Sequence, residues 1–232
     1  MSLFFRNIFI IFLIFSSFLF ADSGFKMNII LPVGGTYSVY EPIFKQDVGI
    51  DAIYEYNKDN GDLFGFESGF EVLPGYLFDF NNDLGLGLFG NIGYSYDFFG
   101  FKRLSFKEQY NIHSVKLGFD SKLYFSDFAF GLGFGIKVPF YIKSQLENYG
   151  ISGTINYSAN SLNNILVNPL FTYIQFSADY IFDLDNFDLG LGLYFGYDFA
   201  LSLKTIESVL SSMDFYAFDF GLRLSFIIGE SI

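Results

Sequence analysis

The only histidine in the chain, His113, is followed directly by Ser114. Serine and histidine serve as nucleophile and base in hydrolases when their side chains share a hydrogen bond. Both residues lie in a segment of alternating apolar and polar residues, and adjacent residues of a β-strand point to opposite faces. The pair therefore cannot act together. The chain also has no Cys, which removes thiolate nucleophiles and thiolate metal sites. We expect no enzymatic activity, no cofactor and no metal.

Ionisable residues alternate with apolar ones along several segments, and acids outnumber bases among them. If these residues share one interior, two interpretations are open. A narrow pore would prefer cations and pass ions or small solutes, since charged rings select ions. An interior filled by ion pairs would be closed, as is usual for small barrels, and we favour this second interpretation. The candidate interior residues are Asp47, Asp51, Glu55, Glu67, Glu71, Lys116, Asp120, Lys122, Lys137, Asp179, Asp198, Asp219 and Arg223.

The densest basic group of the chain is Lys102, Arg103 and Lys107, within a predicted loop over 99–111. Such a group is suited to anionic lipid headgroups, and a solvated loop is the alternative interpretation. The net charge of the whole chain is −12. An acidic chain of this kind is not expected to bind nucleic acid, because phosphate binding needs a basic face.

Residues 1–21 have the pattern of a secretory signal peptide. One basic residue, Arg6, precedes the apolar stretch 8–15, and the small residue Ala21 ends the segment. We predict cleavage near Ala21, which leaves 22–232 as the mature domain. A membrane-anchoring helix is the alternative, although the apolar stretch is short for a membrane span.

The mature chain alternates with a period of two residues. In 216–226 the even positions are aromatic or Leu, whereas the odd positions include Asp219 and Arg223. Segments 47–57 and 114–125 alternate in the same way. Successive residues of a strand point to opposite faces, so these segments predict an all-β sheet with one apolar and one polar face.

Two all-β architectures accommodate such a sheet. In a transmembrane barrel the apolar face meets lipid and the polar residues line the interior. In an exported soluble β-sandwich or barrel the apolar face is internal, where it binds a lipid or another apolar ligand. The 35 Phe and 17 Tyr residues and the glycines of the polar face favour the transmembrane barrel.

Three segments, 76–88, 123–134 and 180–193, read as a strand, a short turn and a Gly-alternating strand. A fourth hairpin is predicted over 53–66. We predict a single antiparallel up-and-down barrel of about ten strands, with eight as the alternative. The longest predicted loop is 144–168, and 205–213 has helical apolar spacing. The predicted strands are 25–35, 47–57, 63–73, 75–80, 84–98, 112–125, 128–143, 169–183, 187–201 and 214–228.

With its signal peptide, its turn–xGLGL hairpins and its aromatic final strand 215–226, the chain resembles the small bacterial outer-membrane β-barrel proteins. The resemblance covers 25–232. It implies a location in the bacterial outer membrane, contact with outer-membrane lipid and insertion by the barrel insertion machinery. The implied function is a small porin-like or structural surface protein that displays extracellular loops.

Overall fold

The computed structural model describes residues 22–45, 61–81, 83–103, 106–148, 151–168, 170–184, 187–204 and 210–229. The predicted signal peptide lies outside these residues. The predicted strand 47–57, with Asp47, Asp51 and Glu55, lies outside them as well. Within the described part, no helix is long and apolar enough to cross a membrane.

The described residues form ten strands, and a 3-10 helix, Ala159–Asn164, lies between β6 and β7. The alternating apolar residues favour strands because extended backbone places them all on one face. The strands are β1 (Asp22–Phe44), β2 (Gly61–Asn81), β3 (Leu84–Arg103), β4 (Phe106–Phe125), β5 (Phe128–Asn148), β6 (Ile151–Ser158), β7 (Leu166–Asn168), β8 (Phe171–Leu184), β9 (Phe187–Lys204) and β10 (Leu210–Gly229).

Eight of these strands close into a ring in the order β10-β1-β2-β3-β4-β5-β8-β9, and β9 pairs with β10 to complete it. Every pairing in the ring is antiparallel. The two short strands lie off the ring, since β6 pairs with β5 and β7 pairs with β9. The predicted up-and-down barrel is confirmed, with ten described strands of which eight form the wall.

The two ends of the barrel differ. At the end that we call the turn end, β2–β3, β4–β5 and β8–β9 are each joined by two residues, as the three predicted hairpins require. In the β4–β5 turn, Ser126 takes a φ of 49°. We call the opposite end the loop end, and it carries the longer connections after β1, β5 and β9.

Strand β2 corrects two predictions. It continues through Pro74, so 75–80 is not a separate strand, and it begins at Gly61 rather than at residue 63. Around this proline the pairing of β2 with β3 lacks partners at Leu73 and Pro74, and it resumes in the same register at Gly75. Proline has no N–H to donate, so it interrupts a few ladder bonds without ending the strand.

The loop-end predictions are also corrected. Segment 99–111 is not a loop, because β3 extends to Arg103 and β4 begins at Phe106. Segment 144–168 contains the end of β5, then β6, the 3-10 helix and β7. In 205–213, the described residues from Leu210 onward belong to β10 rather than to a helix. Pairing with neighbouring strands decides the structure of these segments.

Strand β10 shows which face is outside. Leu222 is 66% exposed, whereas Asp219 and Arg223 are 2% and 3% exposed. The apolar side chains thus cover the outer surface and the charged ones lie within the ring. This is the arrangement predicted for a transmembrane barrel and the reverse of a soluble sandwich.

Candidate functional site

The polar residues of all eight ring strands meet inside the barrel, because alternate residues of every strand point inward. Asn, Ser and Thr side chains lie among the charged ones. The ten described members of the predicted interior set are all buried. They are Glu67 and Glu71 on β2, Lys116, Asp120 and Lys122 on β4, Lys137 on β5, Asp179 on β8, Asp198 on β9, and Asp219 and Arg223 on β10.

A loop-end ion cluster is centred on Lys137. Its Nζ atom lies 2.6 Å from Asp198 Oδ2, 2.9 Å from Asp97 Oδ1 and 3.3 Å from Glu67 Oε1. The hydroxyl of Tyr194 donates to the second carboxylate oxygen of Glu67 at 3.1 Å. The three acids come from β9, β3 and β2, none of which pairs with β5. One buried cation therefore links strands that the sheet hydrogen bonds do not join.

A middle cluster follows toward the turn end. Lys116 Nζ donates to Glu71 Oε1 at 2.7 Å and to Gln175 Oε1 at 2.8 Å. The amide of Asn91 donates to Glu71 Oε2 at 2.6 Å and to Asp120 Oδ2 at 3.2 Å. Both charged partners of the Lys116–Glu71 pair thus have further hydrogen bonds, which buried ion pairs need to offset desolvation.

A turn-end cluster has the opposite balance of charge. Arg223 Nε lies 2.9 Å from Asp179 Oδ1, and Lys122 Nζ lies 3.5 Å from Asp179 Oδ2. Two cations therefore share one carboxylate. Closer to the loop end, Thr36 donates to Asp219 Oδ1 at 2.7 Å. The excess of carboxylates in the loop-end ion cluster is thus partly balanced by the excess of cations in the turn-end cluster, and neither cluster is neutral by itself.

Above the loop-end ion cluster the interior becomes apolar. Aromatic and aliphatic residues of the ring strands pack against Leu162 of the 3-10 helix and Leu166 of β7. The rings of Phe101 and Phe215 stack, with their centres 4.6 Å apart. Lys204 Nζ donates to the backbone oxygen of Asn163 at 2.5 Å, which ties the helix to β9. We call this group the apolar plug. Its buried members are Phe99, Phe101, Tyr110, Ile112, Ile142, Leu162, Leu166, Phe171, Met213, Phe215 and Ala217.

The apolar plug was not predicted. The prediction from sequence assumed that the inner face is polar along its whole length, and its strand 84–98 ended before Phe99. Extending the alternation from the buried Asp97 would have placed Phe99 and Phe101 inside as well.

Two cavities lie among the described interior residues. A cavity of about 10 Å³ is lined by Glu67, Lys137, Tyr173 and Asp219 among others, and it is about the size of one water molecule. A larger cavity of about 100 Å³ opens at the turn end, next to Lys26 and other polar residues. The cavity beside the loop-end ion cluster thus has room for no more than about one water molecule.

His113 and Ser114 lie on opposite sides of β4. His113 is on the outer face, where its Nδ1 is 2.6 Å from the hydroxyl of Tyr94, whereas Ser114 is fully buried inside. The side chains do not meet, as the alternation predicts. Among the described residues, no group of three or more His, Asp and Glu side chains is arranged to hold a metal ion.

Aromatic residues mark two levels of the outer surface. Tyr216 of β10 stacks on Tyr197 of β9 toward the loop end, and Phe226 contacts Phe187 toward the turn end. Ten residues separate Tyr216 from Phe226, which at about 3.3 Å per residue and a tilt of about 40° corresponds to about 25 Å. Aromatic girdles separated by an apolar band of about 25 Å are typical of transmembrane barrels.

The fold is that of an outer-membrane β-barrel. The apolar band between its aromatic girdles consists of exposed Phe, Leu, Val and Ile side chains, among them Phe119, Leu132, Phe134, Leu193 and Leu222.

No family model matches the barrel, and no curated protein matches it. The barrel does match solved structures. Neisserial surface protein A is 12% identical over 84% of this chain and 96% of its own, with a TM-score of 0.35. Ail of Yersinia pestis, in complex with the heparin analogue sucrose octasulfate, is 14% identical over 86% and 98%, with a TM-score of 0.32. The outer membrane protease OmpT of Escherichia coli is 8% identical over 91% and 98%, with a TM-score of 0.38.

The predicted lipid-contact residues lie at the loop end of the barrel. Lys102 and Lys107 are exposed and pair directly across β3 and β4, and Arg103 is the last residue of β3. All three therefore belong to paired strand ends rather than to a free loop.

Proposed function

We propose that the protein is a closed, non-enzymatic outer-membrane scaffold that displays its loop-end strands and connections at the cell surface. One observation carries this proposal. The Lys137 ammonium group contacts carboxylates from three strands across the interior, directly beneath the apolar plug. Of the two interpretations of the charged interior, this arrangement favours ion pairing over an open pore.

The ion cluster and the apolar plug oppose conduction by different means. A passing ion would have to displace Lys137 from its carboxylates, which would leave buried charges unpaired at a cost of several kcal/mol. The apolar plug places Phe99, Phe101 and Phe215 across the same path, and hydrophobic constrictions exclude water and hydrated ions. Either level is sufficient to close the barrel.

The outer surface supports the placement in a membrane. A contiguous band of exposed Phe and Leu side chains is unfavourable in water, and acyl chains of outer-membrane lipid would cover it. Short turns lie on the periplasmic side of such barrels and longer loops lie outside. We therefore place the turn end in the periplasm and the loop end at the cell surface, after insertion by the barrel insertion machinery.

The loop end has the structure of a display surface. Strand β6 pairs with β5 beyond the ring, and nearly all of its residues are exposed. Ile151 at its start is 79% exposed. Rigid scaffolds commonly carry their recognition functions on such projecting segments, so partner binding by this protein would take place there.

Conductance across a planar lipid bilayer tests the closed interior. The refolded full-length protein is inserted, and insertion is verified from the shift in gel mobility between unheated and boiled samples. We expect no steady conductance from the wild type. The double substitution L162A/L166A, which thins the apolar plug, is expected to be silent too, because the loop-end ion cluster still closes the barrel. Steady ohmic openings of the wild type would overturn the proposal.

A further inference from the structure

Three lysines face outward on neighbouring strands at the loop end. They are Lys102 of β3, Lys107 of β4 and Lys143 of β5, and each occupies an outward-facing position of its strand. Four of the other described bases, Lys116, Lys122, Lys137 and Arg223, form ion pairs inside the barrel. These three lysines therefore form a locally basic surface on an acidic protein.

The registers of β3, β4 and β5 arrange this outer surface in rows. The first row is Tyr96, His113 and Tyr141, which belongs to the aromatic girdle. Three rows follow toward the loop end. They are Phe98, Asn111 and Lys143, then Gly100, Gln109 and Gln145, then Lys102, Lys107 and Glu147.

The rows form a gradient from aromatic to amide to ammonium groups. The Tyr96 hydroxyl donates to Asn111 Oδ1 at 2.6 Å, so the Asn111 amide nitrogen keeps its protons for another acceptor. Gln109 and Gln145 add further N–H donors. One carboxylate, Glu147, stands beside three ammonium groups. Among the described residues, no ion pair joins Lys102, Lys107 or Lys143 to a carboxylate.

Lys102 and Lys107 are direct cross-strand partners. Like charges placed opposite each other destabilise a strand pair, and an anion bound between them would offset that repulsion. We propose that this surface binds the phosphate-bearing headgroup of an anionic membrane lipid, whose acyl chains lie over the apolar band below. We call it the lysine face. This inference rests on the proposed membrane placement, and it adds a specific partner to it.

The heights of the lysines fit a headgroup. Lys143 is two residues beyond Tyr141, and Lys102 is six residues beyond Tyr96. At about 3.3 Å per residue and a tilt of about 40°, these separations correspond to about 5 and 15 Å above the aromatic girdle. Lysine side chains extend toward a preferred level along their flexible stems. The ammonium groups of both rows can therefore meet in the headgroup layer, just above the acyl chains.

Native mass spectrometry of the full-length protein released from detergent micelles tests the inference. The probes are phosphatidic acid, phosphatidylcholine with the same acyl chains, and inorganic phosphate. We expect wild type to retain phosphatidic acid in preference to phosphatidylcholine. The triple variant K102Q/K107Q/K143Q is expected to lose that preference by about tenfold or more, since each lysine near a lipid surface contributes to anion binding.

Two single substitutions serve as controls. K45Q removes another exposed lysine, which directly follows β1 and is separated from β3 by β2, and it is expected to leave the preference unchanged. E147Q removes the one carboxylate of the top row and is expected to strengthen phosphatidic acid binding. All variants must first show the mobility shift of a folded barrel.

Three results would overturn the inference. One is equal retention of phosphatidic acid by wild type and the triple variant. Another is a loss in K45Q as large as that in the triple variant, which would indicate a general charge effect. The third is binding of inorganic phosphate as tight as that of phosphatidic acid, which would assign the site to a free anion. Failure of phosphatidylcholine to associate with any variant would instead count against the membrane placement itself.

Discussion

Lys137 on β5 places its ammonium group 2.6 Å from the carboxylate of Asp198 on β9, although β8 separates the two strands in the ring. Asp97 and Glu67 reach the same nitrogen from β3 and β2. Side chains thus fasten together strands that are not hydrogen-bonded to each other. The barrel is held by its ladders around the wall and by this cation across the interior.

Replacing Lys137 by Met is expected to destabilise the folded barrel by about 3–5 kcal/mol, because it leaves three carboxylates buried without their cation. The measurement is reversible urea unfolding in lipid vesicles, followed by circular dichroism. K45M serves as the control, since Lys45 is exposed and surface substitutions usually change stability by less than about 0.5 kcal/mol.

The double substitution K137M/D198N extends this prediction. It removes one of the unpaired charges and keeps the side-chain volume, so it is expected to recover part of the stability lost in K137M. A cost for K137M no larger than that of K45M would show that Lys137 does not hold the interior together.

Leu222 provides a test of the lipid-facing surface. It lies in the middle of the apolar band and is 66% exposed, so in water an arginine there would be tolerated. In a bilayer, L222R is expected to cost about 2–4 kcal/mol. Ile151 is 79% exposed but lies on β6 beyond the ring, and I151R is expected to cost less than about 0.5 kcal/mol. Equal costs for both variants in vesicle unfolding experiments would contradict the proposed membrane placement.

The parts of the fold that depend on local alternation were predictable from sequence. In 216–226 and 114–125 one face is apolar and the other is polar or Gly, and a shift by one residue would exchange the two faces. The three short turns were predictable for a similar reason, since each combines turn-forming residues with a change of strand. These features determine the wall of the barrel and the inward direction of Asp219, Arg223 and Lys116.

The partners inside the barrel were not predictable in this way. Lys137 and Glu67 are 70 residues apart, and only the closed ring and its register bring them together. The apolar plug was missed for a related reason. Near the loop end both faces of β3 are apolar, with Phe98 outside and Phe99 inside, so hydropathy alone no longer distinguishes the inner face.

The hydrogen bond between Tyr94 and His113 gives a spectroscopic prediction. Because the chain has a single histidine, its imidazole ¹⁵N signals are assigned without ambiguity. Removing the hydroxyl in Y94F is expected to shift the Nδ1 signal and to cost about 0.5–1.5 kcal/mol of stability. Y141F is the control, because the Tyr141 ring contacts the imidazole while its hydroxyl donates to Asn156. A similar Nδ1 shift in both variants would refute the pairing.

Gly118 and Gly153 allow a test of how closely the interior is packed. Both lie in strands with ordinary extended backbone, where valine has the higher β-propensity. A Cβ atom on Gly118 would overlap the Tyr173 hydroxyl and the backbone oxygen of Phe134, whereas a Cβ atom on Gly153 meets nothing within 4 Å. G118V is therefore expected to destabilise the barrel by about 1–3 kcal/mol through overpacking.

G153V is expected to be neutral or slightly stabilising in the same urea unfolding measurement, because the valine gains β-propensity in open space. The opposite signs would arise only from the surroundings of the two glycines. Tyr173 also stacks beneath the Lys116 ammonium group, at 4.3 Å from the ring centre. Displacing the Tyr173 ring in G118V thus disturbs the middle cluster as well, and unchanged stability of G118V would mean that the interior is looser than these contacts indicate.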